Sequence, residues 1–299
     1  MSLFDHLIVT TLPLVPRFIV GRVASRYVVG ETLEDALETI RQLNDEGAMA
    51  TVDLLGEEVT EPTAAAEATE VYLSLLDAIR EHDLDCNISV KPTQLGLSFD
   101  LDLCRKNYER PAEKAAAHGN FMRLDMEDRH TTDATLDIYR HLHERYGHVG
   151  VVLQAYMRRT LQDIAELPEN DANIRICKGI YIEPRQVAWK GFETVQSNFV
   201  AALEKLIDQG VYVGIATHDE YLVCRAVEAI DRRGLPKDRY EFQMLLGVEN
   251  TLRRILIDEG HRLRVYVPFG RDWYAYSVRR LRENPKIARH VTLALLRGE

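Results

Sequence analysis

Eight short runs of β-branched and other apolar residues recur along the chain, at 49–54, 87–90, 121–124, 149–153, 174–177, 211–215, 240–246 and 263–267. Between them lie stretches of helical period, such as Phe192, Val195, Phe199, Ala202 and Leu206, spaced by three or four. Another runs from Ala64 to Ile79, opened by Thr60 with Pro62 close behind, a helix-start signal. Strands alternating with helices in units of roughly 30 residues imply an α/β protein, and eight such units match a (β/α)8 barrel. A doubly wound sheet is the competing architecture. It usually carries a glycine-rich first turn, and neither G-x-G-x-x-G nor a Walker A motif occurs in the chain. Near-continuous apolar strands also suit a parallel sheet buried on both faces. The expectation is an α/β, TIM-type barrel over 47–299, preceded by an N-terminal helical segment, 1–46, whose helix at 31–44 packs outside the barrel.

Composition bounds the function. A chain of 299 residues, 46% hydrophobic and 28% charged, is long enough for one barrel-sized core. Cys86, Cys104, Cys177 and Cys224 lie far apart with no C-x-x-C, which argues against a zinc site or disulfide framework and fits a reducing cytoplasm. The apolar N-terminus lacks a basic n-region, carries Asp5 and His6, and is broken by Pro13, Pro16 and Arg17, so neither a signal peptide nor an integral membrane span is expected. Formal charge is −10, but from Arg253 onward 11 Lys and Arg face 5 Asp and Glu, a net of +6 that leaves −16 on the first 252 residues. The acidic bulk disfavours nucleic acid, whose phosphates need an excess of cations. The basic tail reads as a solvated helix, or as a hold for an anion or a membrane surface.

A barrel carries its chemistry at the C-terminal ends of its strands. The second run ends in Lys91, the third in Asp125 and Glu127, and the fourth in Gln154. The fifth carries Arg175 and ends in Lys178-Gly179, the sixth ends in Thr217-His218, and the eighth contains Tyr266. Burying such groups is costly unless they meet a partner or a ligand, so their coincidence on six strands points to one shared site. Taken singly, each has a plainer reading. Asp125 with Arg175 or Lys91 forms a structural ion pair, Asp125 and Glu127 hold a hard cation, and His218 caps the next helix. His141 and His143 fall on a helix and read as surface residues. Lys91 reads as a Schiff-base lysine if neighbouring cations depress its pKa. Tyr276 with Arg279 and Arg280 places an aromatic wall and two guanidinium groups along one helix, a fit for a small ligand with an apolar body and a carboxylate.

The segments at 89–96 (SVKPTQLG), 123–128 (RLDMED), 153–156 (LQAY), 175–181 (RICKGIY), 216–219 (ATHD), 242–247 (FQMLLG) and 276–283 (YSVRRLRE) together resemble the FAD-dependent proline dehydrogenases. The likeness is to a stand-alone bacterial member, keeps the motif order and covers nearly the whole chain. It implies a flavin-filled barrel whose last helix lies over the mouth. The implied reaction is oxidation of L-proline to Δ1-pyrroline-5-carboxylate, with hydride passing from proline C5 to flavin N5 and electrons going on to a membrane quinone. It further implies a cytoplasmic protein at the inner face of the membrane, with a separate Δ1-pyrroline-5-carboxylate dehydrogenase downstream.

Carried over by motif, Lys91, Arg279 and Arg280 would bind the proline carboxylate and Asp125 would orient the cations. Leu245, Tyr266 and Tyr276 would wall the ring. Met126, Gln154, Arg175, Cys177, Lys178, Gly179, Ile180, Thr217, His218 and Glu283 would surround FAD, with Arg175 and Lys178 favouring negative charge on the reduced flavin. Asp125 and Arg175 would thus be the catalytic pair. Ile180 and Cys177 depart from the Ala and Val common in the family. A Schiff-base aldolase acting through Lys91 and a peripheral membrane or carboxylate-binding protein are the alternatives. Both leave Gln154, Arg175 and Thr217-His218 without a task.

Overall fold

Each strand alternates side chains between two environments, and the last strand pairs with the first, so the sheet closes on itself. The computed structural model describes residues 27–167, 172–274 and 277. In it, β1 (Met49–Leu54), β2 (Cys86–Val90), β3 (Met122–Leu124), β4 (Val149–Gln154), β5 (Asn173–Cys177), β6 (Tyr212–Ala216), β7 (Tyr240–Leu245) and β8 (Leu263–Phe269) pair in parallel, and β8 returns to β1. The barrel read from the eight apolar runs is therefore present, with every strand within two residues of its expected bounds.

The strands are less uniformly apolar than a sheet buried on both faces requires. Ala50, Val52, Ile88, Val90, Leu124, Val151, Ile174, Ile176, Val213, Ile215, Phe242, Val265 and Val267 are buried. Alternate positions hold Asp53, Ser89, Arg123, Arg175, Glu241, Gln243 and Arg264, also buried. Side-chain bonds within the lumen show where the second set points, one of them spanning strands that are not neighbours. Arg175 on β5 reaches Ser89 on β2 at 3.2 Å, and Arg264 on β8 donates to Ala50 O on β1 at 2.6 Å and to Glu241 on β7 at 2.8 Å. The lumen is thus a hydrogen-bonded polar core, and the apolar set seals the sheet against the helices.

The covering helices are α1 (Leu33–Asp45), α2 (Pro62–Glu81), α3 (Leu101–Ala117), α4 (Thr132–Tyr146), α5 (Thr160–Ala165), α6 (Phe192–Asp208), α7 (Glu220–Arg233) and α8 (Asn250–Asp258). Local signals explain several ends. Thr32 and Asp35 form a capping box at the start of α1, Asp100 caps α3, and Gly147 and Gly234 close α4 and α7 in left-handed geometry. Helix α2 opens with Pro62 in its first turn after Glu61, so Thr60 lies outside the helix and supplies no cap. Helix α1 packs against β8 and β1, covering from outside the seam where the barrel closes.

Candidate active site

Lys91 follows β2 and precedes a 3-10 turn, Pro92–Leu95. A residue before proline is pushed toward extended backbone, and Lys91 has φ −91° and ψ 132°. Its side chain therefore rises along the strand direction into the mouth of the barrel. There Nζ meets Asp53 Oδ1 at 2.5 Å, donates to the Tyr266 hydroxyl at 3.2 Å, and lies 3.8 Å from Asp125 Oδ2.

Asp125 is the hub of the group. It accepts from Ser89 Oγ at 2.7 Å, from the Arg175 guanidinium at 2.8 Å and from the Tyr266 hydroxyl at 3.0 Å. The Tyr266 ring lies 5.9 Å from the Lys91 ammonium and 5.5 Å from the Arg175 guanidinium, measured to its centroid. Five strands thus deliver Asp53, Ser89, Lys91, Asp125, Arg175 and Tyr266 to one point, since β3 ends immediately before Asp125 and β2 immediately before Lys91.

Electrostatics sort these groups. Burial opposes the charge of Asp125, but Arg175 and Lys91, with hydrogen bonds from Ser89 and Tyr266, hold its carboxyl below the usual carboxylate range. Burial dominates at Asp53 and pushes it up to about 6 despite Lys91. Burial also pulls on the Lys91 ammonium, yet Asp53 and Asp125 outweigh it and raise its pKa above the ordinary lysine value. A Schiff-base nucleophile needs the opposite shift. Lys91 is a fixed cation here, and the aldolase reading loses its premise.

The described members of the cofactor set assigned by resemblance lie at or just after the ends of β3, β4, β5 and β6. Gln154 Nε2 donates to Glu127 O at 2.7 Å, and Met126 is buried beside Asp125. Cys177, Lys178, Gly179 and Ile180 are half-buried. Lys178 Nζ lies 3.1 Å from Asp219 and 5.1 Å from the centroid of the Phe192 ring. Gly179 adopts φ +104°, and a Cβ there would stand 2.1 Å from the Tyr156 ring. Glycine alone lets this loop lie flat on that ring. Thr217 Oγ1 accepts from Asp219 N at 3.1 Å, and Asp219, not His218, caps α7. His218 Nε2 instead accepts from the backbone N–H of Leu245 at 2.8 Å, joining the ends of β6 and β7. Tyr276, Arg279, Arg280 and Glu283 lie outside the described residues.

Several residues of the site are absent from a list of strand ends. Asp53 lies within β1 and Gln243 within β7, so neither ends a run; a charge at the fifth position of the otherwise uncharged MATVDL was the available signal for Asp53. Glu127 and Asp125 diverge, because Glu127 accepts from the Thr93 N–H at 2.8 Å and from its hydroxyl at 2.6 Å. Burial raises Glu127 to about 7 against those bonds. Among the described residues no cluster suits a metal ion. A cavity of about 460 Å³ whose lining includes Glu57, Glu58, Glu127 and Asp128, with His130 among its other residues, is too rich in carboxylates to gather another. His141 is exposed and bonded to Glu109 at 2.9 Å.

Residues 36–292 match the family model described as Proline dehydrogenase. The chain is 37% identical over 262 residues to "Proline dehydrogenase 2" of Bacillus subtilis (strain 168), a span of 88% of this chain and 86% of that one. It is 38% identical over 280 residues to "Proline dehydrogenase" of Deinococcus radiodurans, a span of 92% and 90%. A crystal structure of proline utilization A from Bdellovibrio bacteriovorus, inactivated by N-propargylglycine, matches 88% of this chain with a TM-score of 0.81 and 23% identity. This chain covers 32% of that longer one, and at such identity the likeness speaks for the barrel alone. The family match takes in all eight strands and every member of the Asp53–Tyr266 cluster, and the two curated relatives are similar along nearly their whole lengths: the chain belongs to the proline dehydrogenase family.

Proposed function

We propose that this proline dehydrogenase oxidises L-proline to Δ1-pyrroline-5-carboxylate using FAD and passes the electrons to a membrane quinone. The observation that carries the reading is the meeting of Lys91, Asp125, Arg175 and Tyr266 at one end of the barrel. A small amino acid with an apolar ring needs a cation for its carboxylate, a wall for its ring and a fixed orientation against an electron acceptor. Lys91 spends N–H bonds on Asp53 and Tyr266, and its third donor serves the substrate carboxylate together with Arg279 and Arg280. Tyr266 and Leu245 wall the ring, with Tyr276 completing the enclosure.

The residues present fit FAD. Gln154 and Thr217 offer an amide and a hydroxyl, Arg175 and Lys178 offer cations, and Gly179 lets the loop after β5 lie close against Tyr156 at the same rim. That donor set suits a group with ring carbonyls and a pyrophosphate. Met126, Cys177, Ile180 and His218 contribute the remaining surface, with Glu283. When bound, flavin supplies the two-electron sink that proline oxidation requires. The chain's part is to hold Asp125 charged, keep Arg175 beside it, and present the substrate amine unprotonated so that its lone pair can expel hydride from C5.

No described helix is long and apolar enough to cross a membrane. On this reading quinone is met at the inner membrane face, and the product goes to a separate Δ1-pyrroline-5-carboxylate dehydrogenase. The test is a visible spectrum of the purified protein, followed by anaerobic addition of L-proline. An oxidised-flavin band near about 450 nm that bleaches on addition supports the whole reading. A flavin band indifferent to proline removes the substrate assignment, and a colourless protein that cannot be reconstituted with FAD removes the cofactor.

A further inference from the structure

The segment 242–247 supplies Leu245 to the proposed ring wall, but it also carries Gln243, which that proposal does not use. Gln243 is buried on β7, two residues beyond Glu241 and on the same, luminal face. Its Oε1 accepts from Arg175 Nε at 2.5 Å, and its Nε2 donates to Glu241 Oε1 at 2.5 Å. The neighbours decide which end of the amide points where, because a guanidinium only donates and a carboxylate only accepts. Glu241 is itself anchored, by Arg264 Nε at 2.8 Å and by the Tyr212 hydroxyl at 2.8 Å.

A second observation concerns space. A Cβ on Gly214 of β6 would lie 2.5 Å from Gln243 Nε2. Gly214 is not among the glycines with positive φ, so its backbone does not call for glycine; the amide beside it does. Arg175 is therefore gripped at two edges. Asp125 holds a terminal nitrogen at 2.8 Å and Gln243 holds Nε. One anchor leaves a guanidinium free to swing about it, whereas two on different edges determine its plane.

We propose that Gln243 is a positioning residue that sets the plane of the Arg175 guanidinium, with Glu241 as its anchor and Gly214 as the space that admits it. The proposal rests on the reading of Arg175 as a cation beside the flavin.

The test uses the flavin-loaded enzyme. Gln243→Met keeps the length of the side chain and removes both amide hydrogen bonds. The expected result is a kcat about tenfold lower, a KM for proline that changes less than kcat does, and a more negative reduction potential of the bound flavin measured without substrate. Gly214→Ala, which displaces only the tip of the amide, lowers kcat in the same direction. In a Gln243→Ala background the same Gly214→Ala change has no further effect, because the contested space is empty. This pair also serves if Gln243→Met fails to fold. A Gln243→Met enzyme with native kcat and potential and only a lower Tm makes Gln243 a packing residue and overturns the proposal. Arg175→Lys separates the two levels. If it leaves the potential unmoved, the reading of Arg175 fails and this proposal with it; if it shifts the potential while Gln243→Met does not, only the role of Gln243 is lost.

Discussion

The ammonium of Lys91 and a carboxylate oxygen of Asp53 stand 2.5 Å apart inside the barrel, although 38 positions separate them in the chain. Asp53 is fully buried and Lys91 nearly so, and the register that pairs Asp53 with Ser89 brings the two together across adjacent strands. The pair has two consequences. It keeps Lys91 charged, and it aims the ammonium between Asp53, Tyr266 and the mouth. Without Asp53 the buried ammonium would keep only Asp125, 3.8 Å away, as a counter-charge and the Tyr266 hydroxyl as a hydrogen-bond partner.

Asp53→Asn removes the anion and keeps the shape. We expect flavin to remain bound, the KM for L-proline to rise at least about tenfold, and stability to fall by about 3 kcal/mol, the usual penalty for orphaning one member of a buried pair. Steady-state kinetics and urea unfolding measure the two effects. A native KM would mean that Lys91 finds its orientation elsewhere.

Tyr266 donates to Asp125 at 3.0 Å and receives from Lys91 at 3.2 Å, so its hydroxyl ties the two charges together. Tyr266→Phe should lower kcat/KM for L-proline about tenfold, the scale of losing hydrogen bonds to charged groups. The native enzyme should prefer L-proline to trans-4-hydroxyproline, and the variant should narrow that preference. Comparable turnover of both substrates by the native enzyme would sink the assignment of Tyr266 to the ring wall.

Glu127 gives a pH signature. Burial raises its folded pKa to about 7, above the ordinary glutamate value of 4.5. A raised carboxyl favours the folded state when protonated, so its contribution is complete below about pH 4.5 and is lost as pH climbs through about 7. Relative to Glu127→Gln, the native protein should therefore lose Tm between pH 5 and about pH 8. Parallel Tm profiles for the two proteins across that window would contradict the shift.

Gly179 lies flat against Tyr156, with φ +104° and no space for a Cβ. Gly179→Ala meets both backbone strain and a clash with the ring, so the loop after β5 must lift. The expected result is a folded barrel with reduced flavin content, read from the ratio of visible to ultraviolet absorbance and from the Tm. Full flavin occupancy would remove this loop from the cofactor site.

The eight strands were legible because each is a compact apolar run, and hydrophobic periodicity is a local property that a reader can extract without tertiary information. Strand-end residues such as Lys91 and Asp125 were legible for a related reason, since a charge at the edge of an apolar run is conspicuous and a barrel gathers such edges at one end. The seven motifs then carried the family. Gln243 was invisible as a functional group because its partners, Arg175 and Glu241, sit on β5 and on its own strand, and only barrel closure shows that all three face inward. Asp53 was equally hidden inside β1.

Local sequence by itself determined the number and order of the strands, the helix caps at Thr32 and Asp100, and the extended backbone of Lys91 before Pro92. Tertiary structure alone decided protonation and pairing. Lys91 alone in a sequence reads equally well as a nucleophile or a cation. Asp53 and Asp125, brought within reach by strand register, make it a cation. Charge interactions depend on distance and burial, which belong to the folded chain and not to spacing along it.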